Sequence, residues 1–110
     1  MSAAFSIRKS TNGQFHFNLT AANNKIILSS ETYRNKACAQ AGIQSVKANC
    51  AADGRHELRT SAKGQPYFVL VAANKEIIGR SELYSSKSAM ERGIASVKRN
   101  GRKAAIRDET

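Results

Sequence analysis

The chain has 110 residues, 41% of them hydrophobic and 24% charged, so its composition excludes a disordered chain and predicts a folded globular protein. This length has room for one modest core, which predicts a single domain over residues 1–110. The formal charge of +10 is unusual, and twelve of the 18 basic side chains lie in residues 52–110.

Three strands are predicted in the first third of the chain. Their apolar residues alternate with polar ones or form a short run, as is typical of strands that bury at least one face. Asn12-Gly13 favours a tight hairpin turn after the first strand, and Asn24 favours the left-handed conformation in the second turn. The predicted strands are Phe5–Ser10, Phe15–Ala21 and Lys25–Ser29.

A helix is predicted next, from an N-cap at Asn35 to Asn49. Its apolar residues recur at intervals of four and then three residues, which is the spacing of a helix face packed on a sheet. These residues are Ala39, Ile43 and Val46. Residues 55–61 then form a segment that can close this unit and open the next.

The same unit occurs twice. Residues 13–49 align without gaps with residues 64–100, at an offset of 51 residues, and about half of the positions from Ala21 onward are identical. Two copies are too few for a solenoid, so we expect them to complete a common core. The repeats are assigned to about 3–54 and about 55–110.

The second helix differs from the first at its ends. Ser86 takes the N-cap position, and Asn100-Gly101 predicts a left-handed stop after the last turn. Gly42 and Gly93 recur inside the two helices, in GIQSVKAN and GIASVKRN, and are interpreted as positions where the helix backbone approaches the sheet closely.

The central strand of the second copy is apolar on both faces. It begins at Pro66, which favours a strand start or an edge position. Either a neighbouring element buries its outer side chains, or they form an exposed surface for a protein partner. The outer side chains are Tyr67, Val69 and Val71.

Four stretches, NGQFHFNLTAAN, GQPYFVLVAAN, IIGRSELYSSK and GIASVK, resemble the YegP-like family of small bacterial proteins, and the resemblance spans Phe5–Asp108. It implies an α+β fold of two tandem β-β-β-α-β repeats sharing one antiparallel sheet. Both helices would pack on one face, and the C-terminal strands would be exchanged between repeats. The resemblance implies no activity, cofactor or catalytic residue. Because one chain holds both copies, we expect a monomer.

Catalytic and metal-binding groups are not clustered along the sequence. His16 and His56 stand apart from cysteines and carboxylates, which predicts no metal and no cofactor. Glu31 and Glu82 recur before the two helices and would form a paired-carboxylate site only if the fold brought both loops together. Otherwise they stabilise their loops or the helix N-termini. We therefore predict that the protein is not an enzyme.

The two cysteines predict a reducing compartment. Cys38 and Cys50 lie twelve residues apart, which is roughly 18 Å along a helix and beyond disulfide reach within one chain. A bridge between two molecules is the alternative. The sequence shows neither a secretory leader nor a long apolar run. We expect a cytoplasmic protein with no membrane contact.

Two functions remain open. The first is a non-enzymatic binding or interaction module for a protein partner. The alternative is weak, sequence-nonspecific nucleic-acid binding through basic residues after the second helix and around the repeat junction. These residues are Lys98, Arg99, Arg102, Lys103, Arg55, Arg59 and Lys63.

Overall fold

A computed structural model describes residues 3–52 and 54–110. These residues form seven strands and two helices in the order β-β-β-α-β-β-β-α-β. The strands are β1 (Ala4–Lys9), β2 (Phe15–Thr20), β3 (Ile26–Ser30), β4 (His56–Thr60), β5 (Pro66–Val71), β6 (Ile77–Arg80) and β7 (Ala105–Asp108). The helices are α1 (Lys36–Asn49) and α2 (Lys87–Asn100), and their N-caps are Asn35 and Ser86 as predicted.

All seven strands belong to one sheet with the order β4-β5-β6-β3-β2-β1-β7. The strand pairs within and between the two repeats are antiparallel, whereas β7 runs parallel to β1. The sheet is therefore mixed at one edge rather than antiparallel throughout as expected, because the chain leaves α2 and returns alongside the strand that began the first repeat. This crossing confirms the exchanged last strand. The closing strand of the first repeat is β4, which also opens the second.

Both helices pack on the same side of the sheet and share one hydrophobic core. The core takes Phe17 and Leu19 from β2, and Phe68 and Leu70 from β5, together with apolar residues of both helices such as Ile43. Each helix begins at a capping side chain whose oxygen accepts a hydrogen bond from a first-turn backbone N–H. The α+β class and the two-repeat architecture are confirmed. Among the described residues, no helix is long and apolar enough to cross a bilayer.

A pseudo-twofold axis relates the repeats and passes between β3 and β6. Ser29 pairs with Arg80, which is its own counterpart at the 51-residue offset. Next to the axis, Leu28 fills the space that its counterpart Gly79 leaves open, since a Cβ on Gly79 would lie 2.8 Å from Leu28 Cγ. The two repeats therefore meet through unlike side chains at equivalent positions.

The helix C-termini meet in the same unlike way. Gly101 has φ −60° and ψ −37°, which is ordinary right-handed helix, so the predicted left-handed stop is wrong. A Cβ there would lie 2.6 Å from Sγ of Cys50, the residue at the equivalent position of the first repeat. Gly101 is required for packing against the other helix rather than for a turn. The predicted left-handed residue in the β2–β3 turn is confirmed at Asn24, with φ 67°.

The helix glycines make room for a tyrosine from the preceding loop. A Cβ on Gly93 would lie 2.7 Å from Cζ of Tyr84, and one on Gly42 would lie 2.5 Å from Oη of Tyr33. Each tyrosine ring also stacks on a core phenylalanine, with ring centroids 6.2 Å apart for Tyr33 and Phe17. The repeated glycine therefore admits an aromatic side chain between helix and sheet, which refines the expected close approach.

The strand β5 buries both of its faces. Phe68 and Leu70 face the helices, so strand alternation places Tyr67, Val69 and Val71 on the opposite face. Val69 and Val71 are only 0% and 3% exposed, and Tyr67 is half-buried. The structure shows burial, which is the first of the two interpretations of this strand. The prediction that Tyr67, Val69 and Val71 form an exposed surface for a protein partner is wrong. Val69 lies directly between Glu57 of β4 and Arg80 of β6, which flank it on both sides.

Candidate strand-docking site

The two equivalent edges of the repeats differ in whether a further strand covers them. At one edge, β7 covers β1 in parallel register, with Ala105 opposite Ala4 and Asp108 opposite Ile7. The backbone N–H of Glu109 donates a 2.9 Å hydrogen bond to the carbonyl of Ile7. The edge of β1 is thus closed by main-chain pairing.

Two ion pairs fix the end of β7 against the first repeat. Lys36 Nζ, in the first turn of α1, donates to Asp108 Oδ2 at 2.7 Å. Arg8 Nε, on β1, lies 3.0 Å from Glu109 Oε1. The hydrogen bond from Lys36, together with those from Thr110, lowers the pKa of Asp108 from 3.8 to about 2. A basic residue on the strand and another on the helix therefore bind successive carboxylates of the docked strand.

The equivalent edge in the second repeat is β4, and no strand of the described residues pairs with its outer side. Leu58 of β4 is the counterpart of Ile7 of β1. Leu58 is 55% exposed, whereas Ile7 is fully buried. The same position in two copies of one fold is thus covered in one copy and open in the other.

The main-chain N–H and C=O groups of every second residue of β4 point outward. Val71 N donates to Arg55 O at 2.8 Å, so residues 55, 57 and 59 are the hydrogen-bonded partners of β5. The alternate residues, including Leu58, therefore direct their N–H and C=O groups away from the sheet. Pro66, which has no N–H, fits opposite Thr60 because that pair needs no hydrogen bond. Such an edge is a template for pairing with another strand.

A groove of about 450 Å³ runs between the open edge and the start of α2. Its walls are Leu58, Arg59, Thr60, Gly64, Pro66, Ser85, Ser86, Lys87 and Met90. Arg59 and Lys87 are the counterparts of Arg8 and Lys36, the two cations that hold β7. Arg59 contacts Glu57 of its own strand at 3.2 Å. For Lys87, no carboxylate of residues 3–52 or 54–110 lies within ion-pair distance.

The seven basic residues selected from the sequence do not form one surface. Arg59 and Lys63 lie beside the N-terminal end of α2, since Arg59 and the turn containing Lys63 adjoin the groove. The residues from Lys98 to Lys103 lie at the other end of this 14-residue helix, roughly 20 Å away. Arg55 contacts Asn49 at the end of α1, with Nε 3.2 Å from Oδ1. The structure thus divides the predicted patch into two groups. Arg59 and Lys63 lie at the start of α2, whereas Arg55 and residues 98–103 lie at the C-terminal ends of the two helices.

The recurring glutamates lie in separate grooves at the repeat junctions. Glu31 lines one groove with Tyr33 and Glu76, and Glu82 lines another with Tyr84 and Lys25. The fold therefore does not bring the two carboxylates into one pocket. Burial raises the pKa of Tyr33 and of Tyr84, and the neighbouring glutamates raise it further.

Comparison with known proteins assigns the family. The family model for a domain of unknown function, DUF1508, matches the chain twice, at residues 10–57 and 61–108. The UPF0339 protein YegP of Yersinia pestis is 51% identical over 106 residues, which cover 96% of this chain and 95% of the relative. The chain belongs to the UPF0339 family of YegP-like proteins.

Two solved structures of UPF0339 proteins share the fold. The solution structure of YegP from Escherichia coli is 44% identical, with a TM-score of 0.93 over 100% of this chain and 95% of that one. The UPF0339 protein SO3888 of Shewanella oneidensis is 44% identical, with a TM-score of 0.91 over 98% and 92%. The Escherichia coli structure is described as a protein of unknown function. The resemblance found in the sequence is confirmed, and membership of the UPF0339 family carries a fold but no activity.

The remaining residues with metal-binding or reactive side chains lie apart from one another in the described part of this UPF0339 chain. Among residues 3–52 and 54–110, no three side chains of His, Cys, Asp or Glu converge as metal ligands would. His56 takes the place of Phe5 and packs edge-on against Phe68, as Phe5 does against Phe17. Both cysteines are free, Cys38 exposed and Cys50 buried, and burial raises the pKa of the Cys50 thiol.

Sequence reasoning missed Leu58 and Lys87, although a signal for them existed. Arg59 and Lys87 repeat Arg8 and Lys36 at the 51-residue offset. Among the described residues, β4 both closes the first repeat and opens the second, so β7 is the one separate closing strand, and it pairs with β1. Two repeated pairs of cations but one separate closing strand would have indicated an unfilled place beside β4.

Proposed function

We propose that this protein is a non-enzymatic interaction module that binds an extended segment of a partner protein along the open edge of β4. The observation that carries the proposal is the contrast between Leu58 and its counterpart Ile7. One is 55% exposed and the other fully buried, in two copies of the same packing environment. An added strand would cover the side chain of Leu58 and pair with its outward main-chain groups.

The groove beside β4 would add specificity to this pairing. Main-chain hydrogen bonds give affinity in strand addition, while pockets beside the strand select side chains. Lys87 on the groove side and Arg59 on the opposite face of β4 place two positive charges beside the open edge, which suit an acidic segment. We further propose a monomer, because the two repeats within one chain already supply each other's interface, and a cytoplasmic location, because both cysteines are free.

The test uses the direction of the Leu58 N–H. Proline at position 58 removes an N–H that faces away from β5, so the β4–β5 ladder should survive. Threonine at the same position also loses the apolar side chain but keeps the N–H. A library of random dodecapeptides would be selected on the wild-type protein, and individual clones compared on Leu58→Pro and Leu58→Thr proteins of matched circular dichroism.

Peptides that bind wild type and Leu58→Thr but lose binding to Leu58→Pro would support strand addition at β4. Selected peptides that bind all three proteins equally would refute the proposal, as would a selection that yields no binders. Amide chemical shifts of the labelled protein would locate the peptide on β4 or elsewhere.

A second candidate function is weak nucleic-acid binding at the C-terminal ends of the helices. Arg99, Arg102 and Lys103 are exposed there, and the net charge of +10 would favour a polyanion. The test is fluorescence anisotropy with short mixed RNA and DNA across a range of salt. Binding whose logarithm falls linearly with log salt, and which charge reversal of these three residues abolishes, would support it. Absence of binding near 150 mM salt would reject it, since about this ionic strength is physiological.

A further inference from the structure

The further inference rests on the proposed strand addition at β4 and names the segment that fits there. We infer that the occupant of the β4 edge runs parallel to β4 and carries two consecutive acidic residues after a basic one. The pseudo-twofold relation supplies the template, because β7 already occupies the equivalent edge of β1 in this manner.

The register follows from the repeat offset. Ala105 to Asp108 lie opposite Ala4 to Ile7, whose counterparts are residues 55–58. The occupant residue equivalent to Asp108 would therefore lie opposite Leu58. The next residue would donate its N–H to the carbonyl of Leu58, as Glu109 does to Ile7 at 2.9 Å.

The charges on the two faces of the open edge match this register, because successive residues of a strand face opposite sides. A carboxylate opposite Leu58 would meet Lys87, the counterpart of the Lys36 that binds Asp108 at 2.7 Å. A carboxylate one residue later would meet Arg59, the counterpart of Arg8. Lys87 and Arg59 therefore favour two successive acidic residues in the occupant.

The residue before the acidic pair is also constrained. Arg107 of β7 lies opposite Ser6, whose counterpart on β4 is Glu57. Glu57 now contacts Arg59 at 3.2 Å. On binding, a basic residue of the occupant would pair with Glu57, and Arg59 would pair with the acidic residue that follows. The Arg59–Glu57 ion pair would then be replaced by two new ion pairs. The resulting pattern is apolar, basic, acidic, acidic, as in Ile-Arg-Asp-Glu of the chain's own end.

The occupant must come from another molecule. β4 and β7 lie at opposite edges of a seven-stranded sheet, roughly 29 Å apart at about 4.8 Å per strand. Because β7 is paired with β1, the same strand cannot also occupy the edge of β4 while it is docked. A second copy would likewise have its own tail engaged on its own β1. The proposal therefore commits to a different protein that carries the acidic pattern.

The probe is the synthetic peptide Ala-Ala-Ile-Arg-Asp-Glu-Thr, titrated into the full-length labelled protein and followed by amide chemical shifts. A second peptide with Asn and Gln in place of the two acids is its control. The variant Arg59→Glu/Lys87→Glu tests the groove, and Arg99→Glu/Lys103→Glu is the matched variant with the same change in net charge at the far end of α2. A spin label at the peptide N-terminus reports orientation.

We expect shifts at β4 and at the start of α2, with broadening by the label near Arg55 rather than Thr60. The Arg59→Glu/Lys87→Glu change should weaken binding about tenfold or more, because two favourable ion pairs become repulsive, and the far variant should leave it within about twofold. The amide peptide should bind the wild-type protein about as weakly as the acidic peptide binds the Arg59→Glu/Lys87→Glu variant.

Five results would overturn the inference. Broadening near Thr60 would show an antiparallel occupant, and equal binding of acidic and amide peptides would remove the charge pattern. Shifts confined to β1 would show that the peptide only replaces β7.

The inference and the proposed function can be distinguished. If the acidic peptide does not bind, while library peptides bind wild type and lose binding to Leu58→Pro, this inference is wrong and strand addition stands. If both fail, the proposed function falls with it. Self-association that shifts the β4 amides as protein concentration rises, without peptide binding, would assign the edge to a second copy and refute the inference.

Discussion

The junction between the two repeats contains one unlike pair, Leu28 of β3 and Gly79 of β6, and this pair allows a quantitative test. In the Gly79→Ala protein the new Cβ would lie 2.8, 2.9 and 3.2 Å from Cγ, Cδ2 and Cδ1 of Leu28. Carbon atoms at optimal contact are about 3.5–4.0 Å apart, so the backbone or Leu28 must move. Leu28 is fully buried, which leaves it no free space toward solvent.

The expected magnitude follows from two opposing effects. Overpacking of a buried site costs about 1–3 kcal/mol. Replacing glycine by alanine restricts the unfolded chain and returns about 0.4–1 kcal/mol. The net expectation for Gly79→Ala is a loss of about 1–2 kcal/mol in the free energy of unfolding. For a chain of 110 residues this lowers Tm by several degrees, at about 4–8 °C per kcal/mol for domains of 60–100 residues.

The background variant Leu28→Ala turns the test into a double-mutant cycle. Alone it should cost about 2–5 kcal/mol, because it removes a buried side chain and leaves a cavity. In that background the clash is absent and the added methyl partly fills the cavity, so Gly79→Ala should be neutral or stabilising. The coupling free energy should therefore exceed about 1 kcal/mol.

The assay is urea unfolding followed by circular dichroism and tyrosine fluorescence, whose coincidence tests two-state behaviour. A Gly79→Ala substitution that stabilises the wild-type protein would contradict the reasoning. Equal effects of Gly79→Ala in both backgrounds, within about 0.5 kcal/mol, would also show that Leu28 is not the neighbour that limits position 79.

Three further predictions follow from other contacts. Because the folded pKa of Asp108 lies at about 2, below its ordinary 3.8, its contribution to docking β7 is present above about pH 4 and lost as pH falls toward 2; carboxyl chemical shifts should titrate accordingly, and Asp108→Asn should remove the dependence. Gly93→Ala should lower the free energy of unfolding by about 1–3 kcal/mol despite alanine's better helix propensity, since its Cβ would overlap Tyr84; a rise in the urea midpoint would contradict this packing. A thiol reagent should modify Cys38 rapidly in the native protein and Cys50 only after unfolding, because Cys50 is buried and its thiol pKa is raised; two fast equivalents in the native state would refute that burial.

The sequence was sufficient for the elements and their repetition. Alternation identified β2, the spacing of apolar residues identified both helices, and Asn35 and Ser86 marked where the helices begin. These features depend on neighbours within one or two turns of chain, so periodicity alone can find them. The exchange of the last strand was available only through the resemblance to YegP-like proteins, because β1 and β7 are about 100 residues apart.

The wrong predictions arose where a residue serves a contact distant in sequence. Asn100-Gly101 predicts a left-handed helix end, yet Gly101 is right-handed and accommodates the thiol of Cys50 from the other repeat. Val69 and Val71 were a possible partner surface, yet neighbouring strands on both sides bury them. Local pattern reports which side chains are apolar, but strand order decides which of them face solvent.

The odd number of strands explains why the candidate site exists at all. A symmetric pair of β-β-β-α-β units would place a closing strand on both outer edges of the sheet. Joining the units in one chain makes β4 serve as both the end of one repeat and the beginning of the next, so only one separate closing strand, β7, remains. The cations that hold that strand occur in both repeats, as Arg8 with Lys36 and as Arg59 with Lys87. The tandem arrangement therefore leaves a charged edge that no described strand pairs with, and in the proposed interaction the partner would supply the missing closing strand.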